Sequence, residues 1–139
     1  MPYRPLEHTA DIGIEVEAPT LNDLFREAGE AMFREMIENF EDVQPREQRE
    51  ISLQEQTLED LFTGFLSELL FYFDAEGFVT REVEVQVDPD LYLLEGTVRG
   101  EPFDPERHRV RVGIKGITYH MLVVEPRGDH WYARVIFDV

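Results

Sequence analysis

The sequence has no cysteine, which removes disulfides, thiolate metal sites and a thiol nucleophile from consideration. It has no apolar run near the roughly 20 residues needed to span a membrane. The opening MPYRPLEHTADIG has no apolar stretch of signal-peptide length, so a cytoplasmic protein is expected. Lysine is almost missing: Lys115 stands alone against twelve arginines. Positive charge as a whole is scarce, with 13 basic residues against 30 acidic ones and a net charge of −17. Such a surface repels a phosphate backbone, because nucleic-acid binding rests on Lys and Arg displacing condensed counterions. Direct RNA or DNA binding is therefore not expected. A basic protein partner or a cation fits the field, although the charge could also serve solubility alone.

What is present describes one folded domain over residues 1–139. Apolar residues make up 42% and aromatic residues 12%, enough for a core and too many for a disordered chain. Ile12, Ile14, Val16 and Ala18 alternate with Gly13, Glu15 and Glu17, the period of a half-buried strand. Thr20 with Asp23, and Thr57 with Asp60, have the spacing of helix N-caps. The first helix, with Leu21, Leu24, Phe25, Ala28, Met32 and Met36, is expected to end near Asn39. The second, from Leu58 to Phe73, is closed by Gly77. Its apolar face is widened by Phe71 and Tyr72, so it is expected to be the more buried of the two.

After Phe78 the chain reads as strands. Val83, Val85 and Val87 alternate with charged residues, and a strand follows from Tyr92 to Arg99. Val110, Val112 and Ile114 hold one phase, whereas Ile117, Tyr119, Met121 and Val123 hold the opposite one, which predicts a β-bulge at Lys115-Gly116. Residues 131–139, apolar on both faces, read as a central strand. Together these predict an α+β two-layer sandwich, with two helices on one face of a mixed sheet of about six strands.

No phosphate-cradling glycine loop, GxSxG elbow or HExxH motif occurs. None of the four histidines is spaced as a metal-ligand pair. Two carboxylates stand out by position, Asp11 at the mouth of the first strand and Asp138 at the end of the last. A carboxylate ending a buried strand needs a partner, a hydrogen bond or a cation. If the first and last strands lie side by side, these oxygens and that of Val139 would suit Mg²⁺ or Ca²⁺. By spacing alone, the commoner role for each is to cap its own strand end. Lys115 could neutralise that pair or reach a phosphate. His8 and His120 are candidate neighbours of this site, although each could be an ordinary hydrogen-bonded surface or core histidine rather than a ligand, and Asp104-Pro105 with His108 could cap a helical turn.

Four blocks taken together resemble the archease family: His8-Thr9-Ala10-Asp11; Gly100-Glu101-Pro102-Phe103-Asp104 with His108; Lys115-Gly116-Ile117-Thr118-Tyr119-His120; and Ile136-Phe137-Asp138-Val139. They run through the chain in the family's order, and residues 61–77 are similar to its second helix. Gly116 departs from the alanine expected there. The resemblance implies a compact α+β fold and a non-enzymatic role as accessory to the RtcB-type RNA ligase of tRNA splicing and RNA repair. That ligase joins RNA ends after guanylylation of a histidine, with GTP and a divalent metal such as Mn²⁺. The family's metal-binding aspartates would fall on Asp11 and Asp138, with Val139 adding oxygen, and its functional lysine on Lys115. The alternatives from the residues themselves are a chaperone or modulator of RNA-modifying enzymes, and a stand-alone metal-dependent phosphoesterase.

Overall fold

Two threonines set where the helices begin. In the computed structural model, which describes residues 2–5 and 12–139 in full and residues 6, 7 and 11 by their backbone, Thr20 and Thr57 are both extended. Their side-chain oxygens accept the backbone N–H of Asp23 (3.1 Å) and Asp60 (3.0 Å), satisfying donors that the first helical turn leaves free. The chain order is β1 (Tyr3–Glu7), β2 (Asp11–Ala18), α1 (Leu21–Met36), β3 (Glu47–Gln54), α2 (Leu58–Glu76), β4 (Phe78–Asp88), β5 (Leu93–Pro102), β6 (Gly116–Ile117), β7 (Val123–Arg127) and β8 (His130–Asp138). A short 3₁₀ turn, Phe40–Asp42, follows α1. Helix α2 stops at Gly77, whose φ of 67° lies in the left-handed region that a side chain disfavours.

The α+β class expected from the sequence is what forms. The strands, however, make two antiparallel sheets rather than one mixed sheet of six. One has the order β1-β2-β8-β6 with β7 also on β8, and the other has the order β3-β5-β4. Alternation along a strand tells which side is buried, not which strand lies alongside. The crossovers through α1 and α2 carry β3 and β4 to the two flanks of β5, away from β2. Each helix packs against strands of both sheets, and a single hydrophobic cluster runs through all of them. Phe25 of α1 meets Phe62 edge-on at 5.2 Å and Phe65 at 5.8 Å, which ties the helices to each other.

Two local expectations are corrected. Helix α1, not α2, is the more buried: nine of its 16 residues are buried and its polar stripe is mostly half-covered, whereas α2 buries seven of 19, with Phe71 exposed and Tyr72 and Phe73 half-buried. An apolar circumference on a helix marks burial only if neighbours exist on every side. The two strands of opposite phase expected over 110–123 also do not form. Val110 bridges Ile37 beyond α1, the flanking Arg109 and Arg111 bond to Glu38 and Met36, and only Gly116–Ile117 joins a ladder before β7. Apolar alternation there follows an extended chain whose hydrogen bonds go elsewhere. The register shift lies instead on β4, between Thr80 and Glu82. The hairpin from β7 to β8 turns at Gly128-Asp129, where Gly128 takes φ 64°. Among the described residues no helix is long and apolar enough to cross a membrane.

Candidate functional site

Strand β8 is central, with β2 on one edge and β6 and β7 on the other. Val135, Ile136 and Phe137 are buried on both faces, as the apolar run in the sequence requires. Asp138, one residue further, is exposed. The register sets Asp138 opposite Asp11 of β2 and opposite Gly116 of β6. With neighbouring strands about 4.8 Å apart, these three positions form a row roughly 10 Å across. The row behind it, Ile12, Phe137 and Ile117, anchors the arrangement to the core.

Lys115 joins this row through its backbone, whose N–H donates to the carbonyl of Asp138 at 2.7 Å. Its side chain is exposed. One rung along β8, the carbonyl of Ile136 accepts both the backbone N–H (3.1 Å) and the hydroxyl (2.8 Å) of Thr118. A further rung along, Nε of Arg134 donates to the carbonyl of Met121 at 2.8 Å. The segment carrying Lys115 is thus strapped to the edge of β8 without a long ladder. Val139 is half-buried and packs against the core. His120 is exposed in the turn after Thr118. His8 lies outside the described residues.

The chain therefore brings Asp11, Asp138 and Lys115 together by backbone position, from three distant parts of the sequence. Like charges directly opposite in an antiparallel pair destabilise it, and the two aspartates that share this row carry, by residue type, oxygen donors, the set that hard divalent cations take. By donor chemistry the residues fit Mg²⁺ or Ca²⁺. Among the described residues, no group of three or more His, Asp and Glu side chains stands arranged to hold an ion.

A second cluster went unread in the sequence. Glu101 shares its strand phase with Glu95, Thr97 and Arg99, the pattern of a solvent face, yet it is 1% exposed. The loop after β5 and the 42–46 segment fold over it. Arg107 donates to both carboxylate oxygens (2.8 and 3.1 Å), and the backbone N–H of Gln44 (2.9 Å) and Nε2 of His108 (2.9 Å) converge on one of them. Nδ1 of His108 accepts the backbone N–H of Asp104 at 3.0 Å, which leaves the ring proton on Nε2, facing Glu101. Burial alone would raise the Glu101 pKa. The bonds from Arg107, Gln44 and His108, with the Arg107 charge, overcome that and lower it to about 2. The turn expected at Asp104-Pro105 is present, capped by Asp104, whose Oδ1 accepts the N–H of Glu106 at 2.9 Å. The sequence signals for Glu101 were its flanking Gly100 and Pro102, which say that the strand is ending, and its place with His108 in one of the four family-like blocks; neither tells that it is buried.

Comparison with known proteins agrees over the full length. The model of the Archease protein family (MTH1598/TM1083) matches residues 3–139. Protein archease of Sulfurisphaera tokodaii is 35% identical over 133 residues, covering 96% of this chain and 95% of that protein. The solution structure of protein 1598 of Methanobacterium thermoautotrophicum superposes with a TM-score of 0.84 at 28% identity, covering 99% of both chains. The crystal structure of an archease of Thermotoga maritima, described as a possible chaperone, superposes at 0.64 with 23% identity, covering 98% of this chain and 96% of that one. That last likeness concerns the fold alone.

Proposed function

The chain belongs to the archease family, and from that premise we propose that it is an accessory protein of an RtcB-type RNA ligase, promoting the ligase's guanylylation and performing no reaction alone. The observation that carries this reading is the register of Asp138 with Asp11 on one side and Gly116 on the other, with Lys115 bonded to the same residue. Such a row gathers residues that are far apart in sequence by backbone position, which supports reading them as one unit.

Asp11 and Asp138, with a backbone oxygen of Val139, would hold a divalent cation, Ca²⁺ or Mg²⁺ in the free protein and Mn²⁺ in the complex with the ligase. When bound, the ion supplies positive charge against the phosphates of the nucleotide. Lys115, the one lysine in the chain, holds a phosphate or carboxylate in register beside it; its flexible stem suits a point charge better than an arginine fork does. The rigid β8 scaffold fixes where these groups stand relative to the partner. The charge of −17 favours docking onto a basic, RNA-binding enzyme and disfavours RNA itself, so the chain acts on the protein and leaves the substrate to it.

The test is guanylylation of the RtcB-type ligase of the same organism, with GTP and Mn²⁺, scored as covalent ligase–GMP over time. Addition of this protein should raise the rate and permit repeated ligation cycles. An active ligase indifferent to the protein contradicts the reading, and protection of unrelated enzymes from aggregation would then favour a chaperone.

A further inference from the structure

The turn over residues 118–122 is an exposed segment held by several hydrogen bonds beside the Asp11–Asp138 row. Thr118 makes its two bonds to Ile136. The N–H of His120 bonds to Oγ of Thr118 (3.3 Å) and the N–H of Leu122 to the carbonyl of Tyr119 (3.2 Å). Arg134 holds the Met121 carbonyl. The phenol of Tyr119 donates to the carboxylate of Asp60 at the start of α2, with Oγ of Thr63 at 3.0 Å. Met121 takes φ 57°, a left-handed conformation that a bulky residue adopts only where its surroundings impose it.

For all these ties, the turn buries little. Tyr119 is 59% exposed and Met121 43%, and His120 between them is exposed. Its bonds fix a geometry that contributes little apolar burial of its own. A rigid, exposed aromatic is what binding hot spots are made of, because little side-chain entropy remains to be lost on association.

The surroundings define the occupant. Asp60 is bonded to the Tyr119 hydroxyl, the charge of Glu55 acts on the same phenol, and Glu59 is exposed in the same helical turn. Among the described residues, positive groups by the turn include Lys115, one rung of β8 away, and Arg134, whose Nε is occupied by the Met121 carbonyl. An aromatic face rimmed by carboxylates receives a guanidinium, which stacks on the ring while its N–H groups face the acids. Such groups crowd the surface of any enzyme that holds RNA phosphates. Along β8, one two-residue step of about 7 Å separates the start of the turn from Asp138, so a partner seated on the turn is set beside that row.

We propose that the 118–122 turn is the docking edge of this protein for the basic ligase partner, and that the exposed face of Tyr119 receives an arginine side chain of that partner. This rests on the accessory role proposed above, and deepens it by naming the contact surface. Docking and stimulation are separate: Tyr119 and Met121 govern whether the complex forms, whereas Asp11, Asp138 and Lys115 act within it.

The experiment is calorimetric titration of the full chain into the RtcB-type ligase of the same organism, with guanylylation assayed in parallel. Tyr119→Ala should weaken binding about tenfold or more, and Tyr119→Phe, which keeps the ring, should stay within about threefold of wild type. At saturating protein, both should still stimulate. Asp138→Asn should bind like wild type and fail to stimulate. Circular dichroism of each variant checks that it is folded. Wild-type affinity in Tyr119→Ala, with stimulation by the wild type intact, overturns the docking proposal and leaves the accessory role standing. No binding and no stimulation by the wild type overturns both. Equal losses in Tyr119→Ala and Tyr119→Phe overturn the arginine contact, since the hydroxyl would then be what matters.

Discussion

Asp11 and Asp138 are direct register partners across β2 and β8, although 126 residues separate them in the chain. Two acidic residues opposed in this way weaken a strand pair by about 0.2–1 kcal/mol relative to neutral ones. Without divalent ions, Asp138→Asn should therefore melt at or slightly above the wild-type temperature. With Ca²⁺ or Mg²⁺ at about 100 times its dissociation constant, the wild type should gain about 2.7 kcal/mol and the variant should not. Melting curves in chelator and in titrated ion decide this; a wild type indifferent to both ions at millimolar levels contradicts the ion site.

Lys115 tests whether a point charge or any positive charge is needed. Lys115→Ala should lose most stimulation of ligase guanylylation, and Lys115→Arg should fail to restore it, because a planar fork does not reproduce an ammonium on a flexible stem. Full recovery in the arginine variant would show that only the sign of the charge counts.

Glu101 predicts an acid limb. Its folded pKa of about 2 lies below the ordinary 4.5, so its stabilisation is complete above about pH 4.5 and is lost as the pH falls toward 2. The difference corresponds to about 3 kcal/mol. Glu101→Gln should be less stable at pH 7, and the deficit should shrink below pH 4. Denaturant melts at pH 7, 4 and 3 measure it; a deficit unchanged across that range would assign the loss to packing.

Glu30 behaves in the opposite sense. Burial raises its pKa, against the hydrogen bond that it accepts from the N–H of Val83 at 3.1 Å on the free edge of β4 and the charge of Arg26. A raised carboxyl pKa favours the protonated fold, so the ionised form is a liability that grows as the pH rises through that pKa. Glu30→Gln keeps an acceptor for Val83 and should be as stable as wild type or more so at pH 7, with the advantage fading in acid. A clear loss at pH 7 would mean that the pairing with Arg26 outweighs desolvation.

The parts of the fold legible in sequence were those fixed locally. Thr20, Thr57 and Gly77 bound the helices through contacts within one turn, and the two-faced apolar run of β8 marks a central strand wherever it is found. Partnerships between strands were not legible, because alternation is blind to neighbours; hence two antiparallel sheets stand where one mixed sheet was expected. Residues 110–123 misled for the same reason, as extended chain alternates whether or not a ladder forms. Burial of Glu101 depends on a loop folding over its strand, which no periodicity records. As for the site, the positions of Asp11 and Asp138 at strand ends could be read singly. Their meeting rested on family resemblance in the sequence, and the backbone register now supplies it. The 118–122 turn read as an ordinary strand phase, since the bonds that pin it come from Asp60, Arg134 and Ile136.

The most direct measurement is the rate of ligase–GMP formation by the RtcB-type ligase of the same organism with wild type, Asp11→Asn and Asp138→Asn, each at a concentration that saturates binding. The predicted result is stimulation by the wild type and none by either variant while both remain bound. Stimulation by either variant at the wild-type rate would contradict the paired-aspartate site as the working part of this protein.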